Sequence, residues 1–132
     1  MLPMTTLTTI ISGVTATALL LGVWAILRRQ KRGSFVVHEE LTLEQVLTAG
    51  EAATRKVQPG QKLYAVRMEI SKIPVDIMPP EKTQGAKEAV MIVISDAEGT
   101  PITVEAVLLA ASFEPSLSEA LQEGEGAIEF VK

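Results

Sequence analysis

From Leu7 to Leu27 the chain runs through 21 residues without a charged side chain, then breaks into Arg28, Arg29, Lys31 and Arg32. A helix over that run would be roughly 31 Å long, matching the ~30 Å hydrocarbon core of a bilayer. The pattern predicts one transmembrane helix over 7–27. Beyond it the periodicity shortens and alternates. Leu43, Val46, Leu47, Ala53 and Val57 recur at helical spacing behind Thr42-Leu43-Glu44-Gln45, which has the form of a capping box. A helix is expected from about 43 to 57, weakened by Gly50 and stopped at Pro59-Gly60.

Along Leu63 to Ile70, Tyr64, Val66, Met68 and Ile70 alternate with Leu63, Ala65, Arg67 and Glu69, which predicts a strand with one face buried and the other half wet. Ala89 to Ile94 is apolar throughout, as in a central strand covered on both faces. Asp96-Ala97-Glu98-Gly99-Thr100-Pro101 is turn chemistry, so Ile102 to Leu109 returns as an antiparallel neighbour. A short helix is expected behind Ser116 as its cap, and a last strand over 127–131. Phe35-Val36-Val37 reads as a brief strand or a docking contact. The fold class is therefore α+β: an N-terminal transmembrane helix, then a small domain with a mainly antiparallel sheet and one or two helices. The expected organisation is a short extracytoplasmic segment over 1–6, the span over 7–27, a basic juxtamembrane segment and linker over 28–41, and a cytoplasmic domain over 42–132.

The span is not uniform. Thr9, Gly13 and Thr17 fall four apart with Ser12 and Ala16 beside them, and Ala18 and Gly22 repeat the interval. Small residues at this spacing let helix backbones approach closely, and the hydroxyls can bond across the contact. The expected partner is another membrane subunit or a second copy of the chain. Hydroxyls that only satisfy their own helix are the simpler alternative. Trp24 sits where an interfacial aromatic belongs, one turn before the basic cluster.

Charge orients the span. No Lys or Arg precedes it and four follow at once, so Arg28, Arg29, Lys31 and Arg32 are expected on the cytoplasmic side, against lipid headgroups, with the N-terminus outside. A cleaved secretory signal would carry its charge first and end in small residues, whereas here the charge comes last and Val23-Trp24-Ala25-Ile26-Leu27 is bulky. The expected location is the inner (plasma) membrane, single-pass. All sixteen acidic side chains lie beyond Arg32, with only eight of the twelve basic ones. An acidic body without a basic face argues against nucleic acid.

Candidate chemistry is sparse. The absence of cysteine removes disulfides, thiol nucleophiles and zinc ribbons. No phosphate-binding glycine loop or nucleophile elbow is present. Asp96-Ala97-Glu98-Gly99 resembles the start of a calcium loop but lacks its later ligands, so a hairpin is the better reading. His38-Glu39-Glu40, the one histidine cluster, reads as linker. No cofactor or metal is expected, and the chain reads as non-catalytic. Lys72 to Glu81 is apolar yet holds three prolines, which excludes a central strand. It is expected either as a connection over the sheet edge or as a docking arm presenting Ile73, Val75, Ile77 and Met78 to a partner. Leu108 to Phe113 reads as ordinary core.

Two roles fit these features. One is an accessory subunit of a larger bacterial membrane complex, respiratory or photosynthetic, whose span packs on neighbouring helices while the domain braces them. The other is a membrane-tethered module recruiting a soluble partner. An enzyme built on converging carboxylates ranks behind both.

Overall fold

The computed structural model describes residues 7–10, 16–30, 37–123 and 127–131. Its elements in chain order are strand β1 (Leu7–Ile10), helix α1 (Ala16–Gln30), strand β2 (Val37–Leu41), helix α2 (Leu43–Thr54), strand β3 (Lys62–Glu69), a 3-10 turn (Ile70–Lys72), the single turn α3 (Pro80–Thr83), strands β4 (Glu88–Ser95) and β5 (Pro101–Phe113), helix α4 (Pro115–Glu123) and strand β6 (Ala127–Val131). The strands form one mixed sheet in the order β1-β6-β3-β4-β5-β2. Every neighbouring pair is antiparallel except β2 with β5. The domain is α+β, and its sheet is covered on both sides.

Local signals place the first face. Thr42 Oγ1 accepts the amide of Gln45 at 3.1 Å, and Gln45 Oε1 accepts the amide of Thr42 at 2.9 Å, closing the capping box of α2. Val46 and Ala53 of α2 pack with Leu117 and Leu121 of α4 onto Leu63, Ala65, Val90, Ile92, Ile94, Ile128 and Phe130. Gly50 has a packing reason: a Cβ there would fall well inside contact distance of the Phe130 ring. The Phe130 ring fills the space that a side chain at this position would need. α4 begins one residue ahead of the expected cap. Pro115 occupies its first position, where no amide is needed, and the Glu114 carbonyl accepts from Leu117 and Ser118.

The second face carries the main departures. Ala89, Met91, Val93, Met68, Val104 and Leu109 are buried beneath Val23, Ile26 and Leu27 of α1. Those three residues fall at i, i+3 and i+4, one stripe of a helix. Each is worth ~1.5–3 kcal/mol when fully removed from water. α1 lies chiefly along β5, and its close approach is set by Gly22, whose Cβ would stand 2.9 Å from Pro101 Cδ. A continuous helix over 7–27 is therefore not what the described residues form. Leu7 to Ile10 pair with Val131 to Ile128 as an edge strand, and α1 runs from Ala16 on to Gln30 in the basic cluster. Two causes combine here. Leu7-Thr8-Thr9-Ile10 favours extended backbone through its β-branched residues, and the apolar sheet face supplies contacts that lipid would otherwise provide. Among the described residues no helix is long and apolar enough to cross a membrane.

Covering both faces also corrects β3, where Tyr64 and Val66 are as buried as Leu63 and Ala65. β5 is longer than expected and irregular. Its register with β4 shifts between Ile92 and Val93 and again between Ile94 and Ser95. Glu105 and Ile102 are the surplus residues, which leaves Ile102 exposed and keeps Val104 on the α1 face with Val107 and Leu109.

Candidate interaction surface

Where α1 meets the segment after β3, the expected anchor and the expected docking arm touch. Arg28 Nε donates to Asp76 Oδ2 at 2.8 Å and Nη2 donates to Oδ1 at 3.4 Å, a forked arrangement. The hydrogen bond from Arg28 holds the Asp76 carboxyl below its ordinary range, and the same bond raises the Arg28 guanidinium. Both side chains are more than half in solvent or close to it, so the pair orients the segment more than it stabilises it. Arg29 is exposed beside it, while Lys31 and Arg32 lie outside the described residues. Trp24 is half-buried against the α1-side core.

The proline-rich arm folds inward. The carbonyl of Ile70 accepts from Ile73, and the carbonyl of Pro74 accepts from Ile77 and Met78 at 3.0 and 3.1 Å. Its prolines thus punctuate consecutive turns, and Pro80 opens α3. Ile73 and Met78 are buried in the chain's own core and Ile77 is half-buried, leaving Val75, 71% exposed, as the one apolar side chain offered outward. An arm presenting all four to a partner is not the arrangement found. With α1 shortened, the face available to them is the sheet itself, and they complete its cover.

The helix-packing set is divided. Thr9 sits in β1 opposite Glu129, so it shares no helix face with Thr17, while Ala16 and Thr17 begin α1. Ser12 and Gly13 lie outside the described residues. The small residue that does set a close contact is Gly22, placed by the same four-residue interval but packed on the chain's own β5.

Elsewhere the polar groups serve the fold. His38 lies in β2 opposite Ala110, half-buried, so residues 37–41 of the expected 28–41 linker form a sheet edge instead. Asp96 Oδ1 accepts the amides of Glu98 and Thr100 at 3.0 and 2.9 Å, and Gly99 supplies a φ of +93°; the hairpin uses that carboxylate. Arg67 donates to both carboxylate oxygens of Glu88, at 2.9 and 3.3 Å, and its guanidinium lies 5.5 Å from the Phe113 ring centre. The bond to Glu88 raises the Arg67 guanidinium, and burial pushes the Tyr64 phenol up. A shallow, open cleft beside this pair is lined by Glu69, Ile70, Ser71, Ala86, Lys87 and Glu88. Among the described residues no three His, Cys, Asp or Glu side chains converge as metal ligands would.

Sequence reasoning missed Asp76 as the partner of Arg28, since nothing local ties positions 48 residues apart. It also missed the Arg67–Glu88–Phe113 group, for the same reason. Comparison with protein families, curated proteins and solved structures yields no match.

Proposed function

We propose that the chain is a non-catalytic, single-pass accessory subunit of a larger bacterial membrane complex, respiratory or photosynthetic. In this reading its N-terminus lies outside and its acidic domain braces neighbours on the cytoplasmic side. The observation that carries this is the charge-free run of 21 residues from Leu7 closed by Arg28, Arg29, Lys31 and Arg32. Thr9, Ser12, Gly13, Ala16 and Thr17 would then form the packing face once the run is helical in lipid, with Trp24 and the basic cluster at the interface. Support of a second kind comes from charge: the acidic body is repelled by anionic headgroups while its basic root is drawn to them.

The test is Gly13→Ile in the full-length protein, followed by native gels of solubilised membranes. The variant is expected to stay in the membrane fraction and to lose co-migration with its complex. Unchanged co-migration counts against packing through this face, and recovery of the unmodified protein in the alkaline-extracted supernatant counts against the anchor. Val75, exposed on the arm, favours a second reading in which the domain recruits a soluble partner. Val75→Asp would abolish such recruitment without disturbing co-migration of the complex.

A further inference from the structure

We propose that α1 has two alternative seats, the apolar face of its own sheet and an anionic phospholipid bilayer, so that the folded domain masks its membrane segment until lipid draws it out. This rests on the membrane reading above and adds what holds the segment beforehand. The residues that qualify for lipid are the ones seated on the sheet: Val23, Ile26 and Leu27 are buried against Met68, Met91, Val93, Val104 and Leu109. The described contacts that hold the helix there are one apolar stripe, the Gly22–Pro101 approach and one polar tie.

The polar tie is the part that lipid can replace. Arg28 reaches Asp76 through a forked, solvent-exposed pair, and a phosphodiester offers the same fork the same geometry with the same sign of charge. Salt screens the exposed pair, whereas a charged membrane concentrates basic groups at its surface. The headgroup thus competes for Arg28 while the acyl chains compete for the stripe. Departure of α1 uncovers a face rich in methionine, with Met68 and Met91 among aliphatic side chains. Such a surface adapts readily to a new neighbour. Insertion would therefore expose the contact surface of the subunit only where its membrane is.

A disulfide lock tests this. The chain has no cysteine, and a Cβ built at Gly22 stands 3.5 Å from Pro101 Cβ, at the short end of the ~3.5–4.5 Å range for a disulfide. The full-length Gly22→Cys/Pro101→Cys variant is mixed, oxidised or reduced, with vesicles of equimolar phosphatidylcholine and phosphatidylglycerol carrying brominated acyl chains. Trp24, the single tryptophan, reports contact with lipid. The reduced form is expected to be quenched and the oxidised form to keep its emission. Equal quenching of both forms overturns the two-seat proposal and leaves the membrane reading standing. Binding by neither form overturns both, and failure of the bond to form on oxidation overturns the sheet seat. The unmodified chain gives a reading free of substitutions. Peroxide oxidation of buried Met91, followed by mass spectrometry, should accelerate when these vesicles are added, and a constant rate refutes the uncovering.

Discussion

Gly50 poses a direct contest between helix propensity and packing. It sits within α2, where alanine would ordinarily add about 1 kcal/mol by restricting the unfolded chain and avoiding the glycine penalty. Here the added methyl would drive into the Phe130 ring, which is itself buried against the sheet. Overpacking of this kind costs about 1–3 kcal/mol. The collision exceeds the propensity gain, so Gly50→Ala is expected to destabilise by about 1 kcal/mol. Phe130→Leu removes the obstructing ring edge, and in the double variant the methyl occupies vacated space. The two substitutions should then couple favourably by about 1–3 kcal/mol, within the range measured for contacting residues. Urea unfolding of the full-length protein followed by far-ultraviolet circular dichroism reads this as a midpoint shift. With a slope of about 2 kcal/mol per molar urea, Gly50→Ala should lower the midpoint by roughly 0.5 M. A midpoint that rises in Gly50→Ala and adds independently with Phe130→Leu would refute the close approach.

Two further outcomes follow from the polar contacts. Thr42→Ala removes the hydroxyl that accepts the Gln45 amide and should cost about 1 kcal/mol in the same urea assay; no change would show that the cap is dispensable. The Asp76 carboxyl, held low by Arg28, contributes its part of the α1 contact above the ordinary carboxylate value near pH ~4 and loses it as pH falls through the lowered folded value. Carboxyl titration by NMR should show Asp76 moving back up in Arg28→Gln, and an unmoved titration would deny the pairing.

What was legible in the sequence was local. The capping box at Thr42, the turn at Asp96 and the two-sided burial of Ala89 to Ile94 all follow from neighbours within a few residues, and the structure places them as expected. The seat of Val23, Ile26 and Leu27 was not legible, because a stripe that fits lipid fits an apolar sheet face equally well. The inward fold of Ile73 and Met78 depends on that seat, since the face they cover exists only once β3, β4 and β5 are paired. Pairing across such distances leaves no periodic trace. Of the candidate site, the basic cluster was visible from charge spacing alone, whereas its carboxylate partner Asp76 was visible only in three dimensions.

The two surplus residues of β5 bear on how this chain can change over evolutionary time. With Ile102 and Glu105 in place, Thr103 faces one layer and Val104, Val107 and Leu109 the other, each opposite its proper partner in β4. Losing either residue would restore a regular ladder and leave every remaining position of β5 opposite the same partner and on the same face. A single-codon deletion there would therefore leave the core faces as they are, whereas one inside β3, which pairs with β4 without a shift, would reverse every position on one side of it. Descendants of this gene should keep the lengths of β3 and β4 and differ by a residue at these two points of β5.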